Sequence, residues 1–192
     1  MYEFCDKRGV TTMELIEVIT SKENLNKAYK KVVENKGASG IDEMTVAELG
    51  TYIRENKDSI VNSLRNRTYI PKPVRRVYIP KSNGKKRPLG IPTVLDRTIQ
   101  QAIAQPISEI YEEVFSEYSY GFRPGRSCHD AIKQALEYLN DGCEWVIDID
   151  IEQFFDKVNH DKLVQIIREQ VNDSTTLNWH DETVHGRVWT MA

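Results

Sequence analysis

Apolar positions in the first third of the chain recur with the period of a helix. Ser21 stands where a helix cap is expected, and Leu25, Ala28, Tyr29, Val32 and Val33 then fall on one stripe at spacings of three and four. The stretch NKGASGID (35–42) interrupts the stripe, with Gly37 and Gly40 permitting a tight turn. Thr45 can cap a second helix carrying Val46, Leu49 and Ile53, and a further segment carries Ile60, Val61 and Leu64, so residues 21–67 are expected to be mostly helical. From Tyr69 the period changes. Val77 and Ile79 alternate with Tyr78, SNGKK (82–86) reads as a turn, and RPLGIP (87–92) resumes an extended course, which together predict a hairpin. Prolines 71, 73, 80, 88 and 92 exclude a helix there and push the strands towards a sheet edge.

Helical spacing returns at Ile99, Ala102, Ile103, Ile107, Ile110, Tyr111 and Val114, with Pro106 expected to kink or break the helix. The loop SYGFRPGRS (119–127) leads to a helix from about His129 to Leu139, striped by Ile132, Ala135, Leu136 and Leu139. Next, EWVIDIDIEQFFDKVNHDKL opens in strict alternation. Ile147, Ile149 and Ile151 are expected on one face of a strand and Asp148 and Asp150 on the other. A helix from near His160, striped by Leu163, Ile166 and Ile167, should follow; the stretch after it has no sustained period.

Composition narrows the function classes. With 40% apolar and 29% charged residues among 192, the chain can bury one good core or two small ones. No run approaches the length of a membrane span and the start has no signal-peptide pattern, so a cytoplasmic protein without membrane contact is expected. Cys5, Cys128 and Cys143 are widely spaced and odd in number, which fits neither a disulfide framework nor a zinc site. His180 and His185 are read as part of an unstructured tail rather than as a metal pair.

The net charge of −3 hides a basic block. Between Ser59 and Leu95 there is no Asp or Glu, while Arg65, Arg67, Lys72, Arg75, Arg76, Lys81, Lys85, Lys86 and Arg87 all fall inside. A basic run is often only a solvated face. Here Tyr69, Tyr78 and several prolines are interleaved with the cations, a mixture suited to a nucleic-acid backbone. The paired carboxylates point elsewhere. Two acids on one face of an apolar strand need a metal, a cation or water, and nucleotidyl transfer uses divalent ions held by carboxylates. The pattern is short and common, so taken alone it more often marks acids in water or paired with Arg or Lys than a metal site.

In order along the chain, NKGASGID, YIPKPVRRVYIPKSNGKKRPLGIPTVLDRTIQQAI, YSYGFRPGRSCHDAI and WVIDIDIEQFFDKVNHDKL resemble successive blocks of the group II intron reverse transcriptases, intron-encoded maturases, and more broadly the retron-type reverse transcriptases. The resemblance covers about residues 15–177 and implies an α+β fold of the right-hand polymerase type. In that reading residues 1–67 form an N-terminal helical block, 68–143 the fingers, 144–177 the start of an incomplete palm, and 178–192 an atypical, disordered tail. The resemblance implies that Asp150 is the catalytic, metal-ligating aspartate, that Ile151 adds a backbone carbonyl, and that Asp148 is not a ligand. It assigns Lys81, Arg87 and Phe155 to the incoming nucleotide, Phe155 as a gate beside the sugar. Arg65, Arg67, Arg75, Arg76, Lys85 and Lys86 are expected on RNA; Arg123 and Arg126 are left open between template contacts and a loop-anchoring salt bridge.

What the resemblance implies for the intact family is RNA-directed DNA synthesis with Mg2+, an RNA template or intron RNA, a DNA primer and deoxynucleotides. Three functions compete for this chain: a polymerase fragment that works when the remainder arrives in trans or by fusion, a non-catalytic RNA-binding module assisting splicing, and a decayed remnant. The glycine-rich motif and YxDD that complete the family's metal site do not follow VNDSTTLN; the sequence ends in WHDETVHGRVWTMA, which reads like translation in a changed frame or past a junction. One carboxylate and one carbonyl are too few to position two magnesium ions, so the chain alone is not expected to polymerise DNA.

Overall fold

The computed structural model describes residues 14–80, 84, 86–152 and 154–171. Four helices make the body: α1 (Leu15–Thr20), α2 (Lys22–Glu34), α3 (Val46–Arg65) and α4 (Val94–Glu112). A two-stranded antiparallel sheet, β1 (Arg75–Pro80) and β2 (Lys86–Ile91), is inserted between α3 and α4. Then come α5 (Cys128–Asn140), the single-turn α6 (Phe154–Lys157) and α7 (His160–Gln170).

Local chemistry accounts for the helix ends. The Ser21 hydroxyl accepts the Asn24 N–H at 3.2 Å, capping α2, and Lys36 stops the helix in the left-handed region at φ 47°. At the start of α3, Glu48 reaches back one turn to accept the Thr45 N–H at 2.8 Å and its hydroxyl at 2.7 Å. The second helix and the further segment read from the pattern are thus one helix of 20 residues.

The body is closed by three apolar clusters that share α4. Ala102 packs with Leu15, Ile19 and Ala28; Val94 with Val32 and Leu49; Ile99 with Leu64. α1 has no counterpart in the pattern, whose first helix begins after Ser21. Leu15, Ile16, Val18 and Ile19 are all buried, so this one turn and a half is core on nearly every side, and a helix buried all round shows no stripe.

Of the kink or break expected at Pro106, the break does not occur: α4 runs through the proline. Proline lacks the N–H that would bond the carbonyl four residues back. That carbonyl, Ala102 O, accepts instead from the side-chain amide of Asn24 at 2.8 Å. The same Asn24 Nδ2 donates to Ile19 O at 3.0 Å, at the end of α1, and Asn24 Oδ1 accepts from Gln105 Nε2 at 2.7 Å. One buried amide therefore joins α1, α2 and α4 and fills the acceptor that the proline left open.

The expected strand over 145–151 is not formed: residues 143–151 are irregular, and Trp145 and Ile149 are 92% and 83% exposed. A strand exists through its ladder bonds to a neighbour, and among the described residues none lies beside this segment. The stripe of α5 is corrected for the same cause. Ile132, Leu136 and Leu139 are exposed and no residue of α5 is buried. In α7, Leu163 and Ile166 also face outward, while Val164, Ile167 and the following Val171 turn to the body, held by a bond from Tyr111 Oη to Ile166 O at 3.1 Å. Among the described residues no helix is long and apolar enough to cross a membrane.

Candidate nucleic-acid interface

The basic hairpin is carried on a buried acid. Asp96, 3% exposed in the first turn of α4, accepts from Tyr69 Oη at 2.6 Å, from the Thr93 hydroxyl at 2.5 Å and from the Lys72 N–H at 3.3 Å. Its own N–H returns to Thr93 Oγ1 at 3.1 Å, capping α4. Asp96 therefore grips the chain on both sides of the hairpin, at Tyr69 and Lys72 before β1 and at Thr93 after β2. Burial, and then the hydrogen bond to Asp96, raise the Tyr69 phenol well above its ordinary value, so it stays a donor at any physiological pH.

A second clamp comes from the 35–45 loop. Lys72 Nζ pairs with Asp42 at 3.2 Å. Gly40 presses on the backbone of Thr93, where a Cβ would lie 2.6 Å from Thr93 Cα, so only glycine fits. Arg97 lies against Gly37, its Nη1 2.6 Å from where a Cβ would stand. Its Nε and Nη2 are buried without a hydrogen-bond partner among the described residues, and burial lowers its pKa. Neither Asp96 nor Arg97 was singled out from the sequence. The only signal was their position one turn after the hairpin, which shows nothing of what they touch.

The ladder distributes the cations. Arg75 stands opposite Ile91 and Arg76 opposite Gly90 at the base, Ile79 opposite Arg87 and Pro80 opposite Lys86 towards the tip. Arg76, Lys86 and Arg87 are exposed, and Arg75 is half-buried with its Nε unpartnered among the described residues. Lys81 and Lys85 lie outside the described residues.

Other predicted cations are occupied or turned inward. Arg65 pairs with Glu17 at 2.5 Å and donates to the Thr20 hydroxyl at 3.2 Å, tying α3 to α1. Arg67 is half-buried with φ 59°, ending α3. Arg123 is 9% exposed. It donates to Glu112 Oε1 at 2.6 and 3.0 Å, to Ser116 O at 2.7 Å and to Ser119 O at 3.1 Å. Of the two alternatives left open, the loop anchor is the one the geometry displays. The hydrogen bond from Arg123 lowers the Glu112 pKa. Arg126 donates to Glu117 O and lies over the Tyr120 ring at 5.6 Å.

The carboxylate segment is separate from the hairpin in the ladder. Asp148, Asp150 and Ile151 are exposed in the irregular stretch, and the Phe155 side chain lies outside the described residues. No group of three or more His, Cys, Asp or Glu that could hold a metal occurs among the described residues. Asp150 and the Ile151 carbonyl are oxygen donors of the right chemistry for Mg2+, but a six-coordinate ion needs more than they supply. A cavity of about 840 Å³ opens beside α2 and α4, but Glu109, Glu112 and Glu113 line it along with Lys27 and Lys31, a poor match to phosphate.

An anchored basic hairpin on a helical body, followed by an acidic alternating segment, makes a chain of mixed α and β structure with an exposed cationic hairpin. Residues 79–188 match the reverse transcriptase (RNA-dependent DNA polymerase) family, more than half of the chain, and the chain belongs to that family. The match runs past residue 177, where the motif reading ends the palm block. The chain is 43% identical over 149 residues to the group II intron-encoded protein LtrA of Lactococcus lactis subsp. cremoris, covering 76% of this chain and 24% of LtrA. It is 39% identical over 173 residues to protein YkfC of Escherichia coli K12, covering 86% of this chain and 45% of YkfC. It thus spans about a quarter of one relative and under half of the other. Among solved structures, a chain of a partial Cas6-RT-Cas1–Cas2 complex superposes with a TM-score of 0.53 at 21% identity, over 95% of this chain and 29% of that one, a likeness of fold.

Proposed function

We propose that this chain is the RNA-gripping front part of a group II intron-type reverse transcriptase and maturase, fingers followed by the start of the palm. The observation that carries the reading is the acid-free hairpin held on Asp96, which presents Arg76, Lys86 and Arg87 to solvent. A rigid base lets these cations meet phosphates without first losing freedom. In this reading RNA runs along Arg75, Arg76, Lys85 and Lys86. Lys81 and Arg87 neutralise the triphosphate of an incoming deoxynucleotide, and Phe155 stands beside its sugar. Arg65 and Arg123, held by Glu17 and Glu112, support the scaffold instead.

Asp150 and the Ile151 carbonyl would hold Mg2+ together with carboxylates from another part of the polymerase; the ion would activate the primer hydroxyl and neutralise charge on the leaving pyrophosphate. Binding therefore comes before chemistry for this chain. Fluorescence anisotropy with single-stranded RNA tests it. Replacing Arg76 and Lys86 together by alanine should weaken binding across all sequences and flatten the log–log salt slope by about 1.4, at about 0.7 for each lost phosphate contact. An unchanged slope would sink the reading. Primer extension with Mg2+ is expected to yield no product; template-dependent product abolished by Asp150→Ala would show that the chain is already a complete polymerase.

A further inference from the structure

The ladder gives the hairpin two unlike faces. Side chains alternate along a strand, so the register puts Arg75, Val77 and Ile79 on one face with Arg87, Leu89 and Ile91. Arg76, Tyr78 and Pro80 lie on the other with Lys86, Pro88 and Gly90. The first face is the one that suits a protein neighbour: Val77, Ile79, Leu89 and Ile91 make it largely aliphatic, and all of these but Ile79 are already half-buried. The second face is built differently. Arg76, Tyr78, Pro80, Lys86 and Pro88 are exposed on it, and it carries no acid. Among the described residues neither Arg76 nor Lys86 has an ion pair. Tyr78 stands at the centre, 60% exposed and opposite Pro88. Arg76 lies two residues, about 7 Å, towards the helical body, and Lys86, paired with Pro80, lies about as far towards the tip on the neighbouring strand.

From this arrangement we infer that the hairpin makes a second contact with RNA, on the face turned away from Arg75 and Arg87. An unpaired nucleotide stacks its base on the Tyr78 ring, and Arg76 and Lys86 hold the phosphates on either side of it. A ring set between two cations meets both needs of a single strand: any base has a face to lay on the ring, and the backbone charge is met by the cations. The ring also sets a preference that the cations alone do not. In an A-form duplex the base faces are covered by their stacked neighbours, so only an unpaired base can lie on Tyr78. Pro80 and Pro88 beside it have no side-chain freedom to lose when the strand settles. The assignment of the cations to RNA rests on the function proposed above; the stacked base and the choice of face go beyond it.

The probe is a short single-stranded RNA with a central 2-aminopurine, titrated with the full chain. Binding should quench the 2-aminopurine fluorescence, as stacking on a ring does. Tyr78→Val should abolish the quenching and weaken binding about tenfold, the loss of one stacked base. Its log–log salt slope should stay where it was, because no phosphate contact is removed. Valine favours strands, so the hairpin is kept, and Tyr78→Phe, which keeps the ring, should bind like the unaltered chain. On an RNA duplex Tyr78→Val should bind as the unaltered chain does. Undiminished affinity and quenching in Tyr78→Val, while Arg76→Ala with Lys86→Ala still flattens the slope, would overturn the stacked base and leave the proposed function standing. An equal loss on duplex RNA, or a loss in Tyr78→Phe as large as in Tyr78→Val, would overturn it too. A slope that ignores Arg76 and Lys86 would remove both readings together.

Discussion

Asn24 carries more of the body than its type suggests. A single 2%-exposed amide satisfies the last turn of α1, the carbonyl orphaned by Pro106 and the side chain of Gln105. Asn24→Ala would take the side-chain amide from the Ile19 and Ala102 carbonyls, each at about 1–3 kcal/mol, while Gln105 Nε2 keeps the Asn24 backbone carbonyl at 3.2 Å, so a loss of about 2 kcal/mol or more is expected in urea unfolding. Gly40 is limiting for a different reason: Gly40→Ala drives a methyl into the Thr93 backbone, and the hairpin must shift with it. The expected result is a loss of about 1–3 kcal/mol, the range of overpacked sites, in the same measurement. Neither effect follows from residue type. Asparagine and glycine in such a stretch read as cap and turn, and their tertiary partners lie far along the chain.

At the scale of elements, two loops hang on single ionic or polar anchors. The hairpin depends on Asp96, so Asp96→Ala should speed amide exchange throughout β1 and β2 while α2 keeps its protection. The 113–127 loop depends on Arg123 and Glu112. Because the hydrogen bond from Arg123 holds Glu112 below its ordinary carboxylate value of 4.5, the pair stabilises the fold fully above that value, and the contribution is lost as pH falls through the lowered folded value. The Arg123 Nε–H resonance should therefore stay sharp near neutrality and broaden only under acid conditions. Glu112→Gln should remove that acid dependence. A resonance that broadened as pH rose would contradict the linkage.

The molecule as a whole is stabilised unevenly. The three clusters draw on residues from Leu15 to Ile110, with Ile167 and Val171 returning to them. Among the described residues between Glu113 and Leu163, Arg123 alone is buried. Hydrogen exchange should therefore divide the chain: slow in α2 and α4, and orders of magnitude faster in α5 and 143–152. Equal protection in α5 would mean that this half is covered in solution. Much of the body was legible from periodicity and caps, because Ser21, Thr45 and the α2 and α4 stripes act through neighbours within a turn or two. The alternation of 145–151 and the stripe of α5 were legible as patterns, but a pattern states which face would be buried and not whether anything covers it. The acid-free run of cations was likewise plain in the sequence. By itself the sequence determined the longer helices α2 to α5 and α7, the hairpin, its charge and the family, since these depend on local spacing and residue type. Only the tertiary structure decided that Asp96 holds the hairpin, that Asn24 repairs the proline, that Arg65 and Arg123 are engaged by acids, and that the carboxylate segment forms no strand, because each of these depends on groups brought together across the fold.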